Sequence, residues 1–79
     1  MKTTYRFIEF VGHPSVPNVW VCRNKRDKGV LGGVEWYAPW KQFIFNADQS
    51  AVFSSDCLRD IANFLENAKT EAKNERHAT

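Results

Sequence analysis

Residues 54–68 read SSDCLRDIANFLENA, a segment with the apolar repeat of a helix. Ser54 or Ser55 can cap a helix by accepting a bond from its first free amides, and Asp56 complements the helix dipole. Cys57 and Phe64 widen the apolar stripe on one side. The pattern predicts one C-terminal helix lying on a sheet, with a stripe made of Leu58, Ile61, Ala62, Leu65 and Ala68.

The chain has 79 residues, which is enough for one domain and too few for two. We expect residues 1–66 to form a single α+β domain. Residues 67–79 are compatible with a helix but carry almost no apolar face. A helix without packing is marginal in water, so we predict a polar, partly frayed helical tail.

Upstream of the helix, the sequence predicts strands separated by short reversals. Runs rich in aromatic and β-branched residues lie at about 4–11, 19–23, 30–38, 42–45 and 51–53. Pro14 and Pro17 mark a loop, residues 24–29 a hairpin, and Pro39 the second position of a tight turn. The predicted fold class is therefore α+β, an antiparallel meander of four to five strands followed by one C-terminal helix packed on one face.

Three glycines have predicted roles. Gly29 ends the charged hairpin and suits a positive φ. Gly32 and Gly33 remove side chains from the middle of the third strand, which is typical of a β-bulge or of close approach by another group. We expect a large ring, such as that of Trp20 or Trp40, to lie over this gap.

One helix can cover only one face of a sheet, yet these strands are apolar on both faces. Either one face is an interface, most simply that of a two-fold homodimer, or strong twist folds the sheet so that both faces share one core. The sequence leaves both alternatives open. The two competing sets are Phe7, Val11, Val19 and Val21 against Ile8, Phe10, Trp20 and Cys22.

Composition is that of a globular chain, with 43% hydrophobic and 25% charged residues and a formal net charge of +2. This charge neither requires nor excludes a nucleic-acid partner. Cys22 and Cys57 lie far apart without a disulfide or zinc pattern, so we expect reduced thiols. Arg6 and Glu9 interrupt any apolar run at the N-terminus, which predicts a cytoplasmic protein with no membrane partner.

The densest aromatic segment contains Trp36, Tyr37 and Trp40 around the predicted turn at Pro39. Tryptophan and tyrosine are favoured in binding hot spots because they combine a large area with a polar tip. These three residues are therefore candidates for binding a protein. The competing interpretation places the rings in the sheet and turn packing, and for Trp36 the core is the favoured location.

Four cations, Arg23, Lys25, Arg26 and Lys28, cluster around one predicted hairpin. Cationic side chains and backbone amides can meet phosphates there, and a neighbouring aromatic ring could stack on a base. These residues are the alternative, nucleic-acid-binding site. The competing interpretation, which the low net charge favours, is a solvated reversal.

No pair of acids, bases or thiols has a recognised catalytic spacing. His13 lies in a proline-flanked loop and His77 in the predicted tail, and neither cysteine has a histidine nearby in sequence. We therefore expect no catalytic residue, no cofactor and no metal site.

Residues 31–45 read LGGVEWYAPWKQFIF, and residues 53–61 read FSSDCLRDI. Over roughly residues 31–65, the chain resembles a group of small uncharacterised proteins encoded by bacterial genomes, phages and prophages. That group has no assigned activity, so the resemblance transfers no functional residue. It implies a small accessory protein that acts on a host factor.

Together these observations lead to one functional expectation and one alternative. The expectation is a non-enzymatic binding module, a homodimer, that acts by protein–protein interaction with a host protein. The alternative is a nucleic-acid-binding protein that uses the basic hairpin and exposed aromatic rings.

Overall fold

The computed structural model describes the backbone of residues 1–78 and the side chains of residues 1–72. Its elements are β1 (Ile8–Gly12), β2 (Trp20–Asn24), β3 (Val30–Tyr37), β4 (Gln42–Ala47) and α1 (Ser55–Ala78). The strands form one antiparallel meander in the order β1-β2-β3-β4, and α1 packs on one face. The predicted fold class is confirmed, with four strands.

The first strand is shorter than predicted, because residues 4–7 do not continue it. The amide of Tyr5 donates to the carbonyl of Ile8 (2.9 Å), and the amide of Phe10 donates to the carbonyl of Thr3 (2.8 Å). The N-terminal residues thus turn back beside β1, with one isolated bridge between Thr4 and Glu9. Local turn bonds therefore replace the strand expected at residues 4–7.

The predicted final strand at residues 51–53 is also wrong. The amide of Ala51 donates to the carbonyl of Asp48 (3.1 Å), which makes a turn after β4. Phe53 packs edge-on against Phe45, with 5.6 Å between ring centroids, while Val52 is exposed. This short segment is anchored to the core by one ring and has no ladder partner among the described strands.

The two later reversals differ in how well the sequence predicted them. In the β3–β4 turn, the amide of Lys41 donates to the carbonyl of Ala38 (3.1 Å), so Pro39 occupies the predicted second position. In the β2–β3 hairpin the positive φ falls on Lys28 (63°) rather than on Gly29. Gly29 instead lets the carboxylate of Asp27 approach, since a Cβ there would lie 3.0 Å from its Oδ1.

A bulge is present on β3, one residue before the glycine pair that predicted it. Cys22 opposes Gly32 and Arg23 opposes Val30, which leaves Leu31 as the extra residue. The ring that lies over the gap is neither Trp20 nor Trp40. It is Phe45: Gly32 opposes Ala47, which lies two residues after Phe45 and on the same face of β4, so the Phe45 ring reaches Gly32 diagonally.

The core lies between α1 and one face of the sheet. The ring of Phe64 stacks on Phe10, with centroids 3.9 Å apart, and meets Trp20 edge-on at 5.2 Å. These three rings set the rotation of the helix. The buried residues are Tyr5, Ile8, Phe10, Cys22, Val34, Phe43, Ile61, Phe64 and Ala68.

This rotation corrects the predicted helix stripe. Leu58 and Ala62 are exposed, whereas Cys57 and Ala72 pack against the core. The buried stripe is rotated from the predicted one because Phe64, the largest apolar side chain of the helix, lies at its centre. The predicted start is correct, since the amide of Cys57 donates to Oγ of Ser54 at 3.2 Å.

The helix continues without a break through Glu66 to Ala78, and Ala68 is buried. Apolar packing therefore extends beyond the predicted domain boundary at residue 66. The side chains of residues 73–79, and with them the predicted fraying and the position of His77, lie outside the described part of the chain.

The second face of the sheet reaches solvent, so the alternative in which both faces share one core is wrong. Val11 and Val21 oppose each other on this face, and both are exposed. The face is less apolar than the sequence suggested, since Gly33 contributes no side chain and Asn46 donates to Glu35 there. This face therefore exposes fewer apolar side chains than the sequence predicted.

Candidate binding surfaces

The aromatic turn, defined as Trp36, Tyr37 and Trp40, is exposed. Trp36 packs edge-on against Phe43, with centroids 5.2 Å apart, but 43% of it remains accessible. The expectation that Trp36 belongs to the core is therefore wrong. Trp40 is 66% exposed because it lies in the reversal itself.

Neighbouring residues of a strand point to opposite faces, so Trp36 and Tyr37 flank the end of the sheet. Trp40 joins Tyr37, with ring centroids 5.1 Å apart and an angle of 82° between the planes. The turn is held by bonds from the amide of Trp40 to the carbonyl of Tyr37 (3.2 Å) and from Lys41 to Ala38. The rings form a corner that a partner can pack against with little loss of side-chain entropy.

Next to the aromatic turn, β4 is an edge strand. In the described chain it pairs with β3 and has no backbone partner on its other side. The amide of Asp48 donates to the carbonyl of Leu31, so by alternation the amides of Phe43, Phe45 and Ala47 face the free edge. No charged side chain interrupts Gln42–Ala47, and such an edge readily accepts another strand.

The opposite edge of the sheet is different. Residues 3 and 4 lie beside β1 and supply the carbonyl that accepts from the amide of Phe10. The chain therefore blunts one edge of its own sheet and leaves the other open.

Of the four predicted hairpin cations, two are paired with one carboxylate. Glu9 lies opposite Arg23 on the neighbouring strand and accepts from Nε of Arg23 and from Nζ of Lys28 (3.1 Å). These bonds, the one from Arg23 first, lower the pKa of Glu9. Arg23 and Lys28 therefore contribute to holding β1, β2 and the hairpin together.

The other two cations border a concavity. Nζ of Lys25 donates to the carbonyl of Tyr5 (3.0 Å), and Arg26 is exposed. With Arg6, Phe7 and Asn24 they line a space of about 580 Å³. We call this the basic pocket.

Arg6 and Phe7 were not among the predicted site residues. They were assigned to the first strand, and the antiparallel register that pairs Ile8 with Asn24 brings them beside the hairpin. The amide of Lys25 donates to the carbonyl of Phe7 (3.0 Å), which fixes this juxtaposition. The adjacent basic and aromatic residues were the one signal that could have identified them.

The thiol of Cys22 and the imidazole of His13 both have structural positions. Cys22 is fully buried, and burial followed by the nearby Cys57 raises the pKa of its thiol to about 12. It therefore stays protonated at neutral pH. Nδ1 of His13 accepts from the amides of Ser15 (3.0 Å) and Val16 (2.9 Å), which organises the loop after β1.

The described residues contain no group of three or more histidine, cysteine, aspartate or glutamate side chains placed to hold a metal ion. None of their helices has the length and apolar character needed to cross a membrane.

The chain was also compared with known proteins. It matches no family model, no curated protein and no solved structure. The surfaces described above are therefore the features of the molecule that bear on its function.

Proposed function

We propose that this protein is a non-enzymatic binding module that acts in the cytoplasm by protein–protein interaction. The observation that carries the proposal is the aromatic turn, whose three rings are exposed beside an open strand edge. An accessory role in a phage or another mobile element, implied by the resemblance of residues 31–65, is part of the same proposal.

The aromatic turn and the edge of β4 together suit a partner that adds a strand. Main-chain bonds to Phe43, Phe45 and Ala47 would supply affinity, and aromatic anchors at one end would fix the register. An extended segment of a host protein has this chemistry.

The first partner we propose is a second copy of the chain. Two β4 edges can pair antiparallel about a two-fold axis perpendicular to the sheet, which keeps like faces on the same side. The aromatic turn of each copy then lies beside residues 48–52 of the other. Trp40 (66% exposed) and Val52 (88% exposed) are the most exposed large apolar side chains of the described chain, and this pairing would bring them together.

A host protein would compete with the second copy for the same edge. Homodimer and complex are therefore alternative uses of one surface, and binding of a host protein should convert the dimer into a heteromeric complex.

The test compares capture of host proteins by the tagged wild-type protein and by Trp40→Ala. Truncation of a hot-spot residue costs about 2 kcal/mol or more, so we expect affinity for the captured protein to fall about 30-fold. Binding is measured by surface plasmon resonance with the purified captured protein.

The matched control is Val30→Ala, which shortens another exposed apolar side chain (59% accessible) on the hairpin at the far end of β3. It should bind like the wild type. Equal loss in both variants, or full binding by Trp40→Ala, would remove the basis of the proposal.

The nucleic-acid alternative stays a prediction for the four hairpin cations. The ion pairs with Glu9 weigh against Arg23 and Lys28 as phosphate ligands. They do not involve Lys25 or Arg26.

A further inference from the structure

The basic pocket lies at the opposite end of the sheet from the aromatic turn. The two sites are separated by the length of β3, eight residues or roughly 23 Å. The two sites share no residue and can therefore be tested separately.

The cations of the pocket have their charge available. Among the side chains that the structure describes, Arg6 and Arg26 form no ion pair. Lys25 bonds to a neutral carbonyl, which positions its ammonium group without cancelling the charge. Three positive charges thus border one concavity, whereas Arg23 and Lys28, the cations on the other side of the hairpin, are both paired with Glu9.

The pocket also presents an aromatic ring. Phe7 is 47% exposed, and the guanidinium of Arg6 lies over one ring face, 4.9 Å from the centroid. A planar base could stack on this pair, and base–aromatic stacking is tolerant of sequence because every base has a π-face. Asn24 accepts from the amide of Arg26 through Oδ1 (2.9 Å), which leaves its side-chain nitrogen as a donor at the rim.

We propose that the basic pocket binds single-stranded nucleic acid. One unpaired base stacks on Phe7, and Arg6, Lys25 and Arg26 contact the flanking phosphates. The volume of about 580 Å³ falls within the range of small-molecule sites and is large enough for a nucleotide. The exposed ring favours this ligand over a phosphopeptide, and it favours single strands because the bases of a duplex are already stacked.

The first measurement is fluorescence anisotropy with fluorescein-labelled dT10 and rU10 at about 50 mM salt, followed by a salt series. A single strand loses affinity with a slope of about 0.7 per neutralised phosphate. For two to three contacts we expect a slope of about −1.4 to −2.1. A duplex of the same length should bind more weakly. Absence of single-strand binding at 50 mM salt would overturn the proposal.

Two variants separate stacking from charge. Phe7→Ala should lower affinity about tenfold and leave the salt slope unchanged, because stacking releases no counterions. Arg26→Glu should lower affinity and reduce the slope by about 0.7 or more. Both side chains are exposed, so circular dichroism should show an unchanged fold.

The controls change the same chemistry elsewhere. Lys69→Glu makes the same change in net charge on an exposed position of the helix, and Trp40→Ala removes an exposed ring at the far turn. Both should bind the strands like the wild type. Equal loss in Lys69→Glu and Arg26→Glu would show a non-specific charge effect, and loss in Trp40→Ala without loss in Phe7→Ala would assign stacking to the other site; either result contradicts the proposal.

A doubly phosphorylated serine peptide is the competing probe. Tighter binding of this peptide than of dT10 would also overturn the proposal, since the pocket would then recognise phosphate groups without a base. Phe7→Ala should still capture the host protein at the wild-type level. Failure of nucleic-acid binding would therefore not count against the proposed role of the aromatic turn.

Discussion

Gly32 and Gly33 are neighbours on β3, but only Gly32 is closed to a side chain. A Cβ at Gly32 would overlap the carbonyl oxygen of Asn46 and lie 2.6 Å from Cζ of Phe45. A Cβ at Gly33 would meet only the carbonyl of Trp20, at an ordinary 3.5 Å. Neither glycine has a positive φ, so the difference is one of space.

We therefore expect Gly32→Ala to lower the free energy of unfolding by about 3 kcal/mol, the upper range for overpacking, because a backbone carbonyl cannot move aside. Gly33→Ala should be neutral or stabilise by about 0.5 kcal/mol, since alanine loses less entropy on folding. Urea unfolding followed by tryptophan fluorescence measures both. Similar losses in the two variants would contradict this account.

At this scale the sequence identified the glycine pair and the bulge, but not the ring that needs the space. Trp20 and Trp40 were expected over the gap, and Phe45 lies there. The difference depends on the β3–β4 register, which pairs Gly32 with Ala47 and Val34 with Phe45. A register follows from the whole sheet and its turns, and cannot be deduced from one strand.

At the scale of elements, the interface between α1 and the sheet contains two groups that are neutral when the protein is folded. Burial raises the pKa of Cys22 on β2 from 9.0 to about 12. Burial and the charge of Asp60 raise the pKa of Tyr5, whose hydroxyl donates to Oδ1 of Asn63 on α1 (2.8 Å). In the unfolded chain both groups ionise at lower pH than in the folded protein.

The contribution of Cys22 to stability is therefore complete below about pH 9 and is lost as the pH rises toward 12, and the raised pKa of Tyr5 adds a loss in the same direction. We expect the urea midpoint to be lower at about pH 10.5 than at pH 7. Cys22→Ala should be less stable at pH 7, because it leaves a cavity, but should show a smaller decrease with pH. Tyr5→Phe should likewise reduce the decrease. An alkaline decrease of the same size in all three proteins would refute this assignment.

The existence and order of the elements were predictable, but their edges and orientation were not. The Ser54 cap and the Pro39 turn are local features and were correctly predicted. The rotation of the helix follows from the stacking of Phe64 on Phe10, a contact between distant parts of the chain. Residues 4–7 and 51–53 also contain strand-forming residue types. Apart from the bridge between Thr4 and Glu9, both segments lie outside the sheet, because contacts with the rest of the chain override their local preference.

Across the molecule, the two candidate sites differ in how well the sequence identified them. The aromatic turn is a continuous segment, so composition alone identified it. The basic pocket combines Arg6 and Phe7 with residues 24–26, which are separated in sequence by β1, a loop and most of β2. Glu9 on β1 pairs with Arg23 and Lys28 and offsets one of their two charges, and the net charge of the chain gave no sign of this pairing.

The open β4 edge allows a direct test of the proposed homodimer. Ala47 is exposed, and its amide faces away from β3, so Ala47→Pro removes one edge donor without breaking a β3–β4 bond. We expect sedimentation equilibrium to show a concentration-dependent dimer for the wild type and a monomer for Ala47→Pro, with unchanged far-UV circular dichroism.

Ala47→Thr is the matched control, because threonine keeps the amide and favours a strand. It should dimerise at least as well as the wild type. Trp40→Ala should weaken the dimer as well, since the proposed antiparallel pairing would bring each exposed Trp40 beside the exposed Val52 of the other copy. A wild-type protein that remains monomeric at about 100 µM, or an Ala47→Pro variant that dimerises normally, would show that β4 does not pair with a second copy. Stable dimers commonly bury more than about 1,000 Å² in total, so we expect the aromatic turn to add contacts to those of the strand edge.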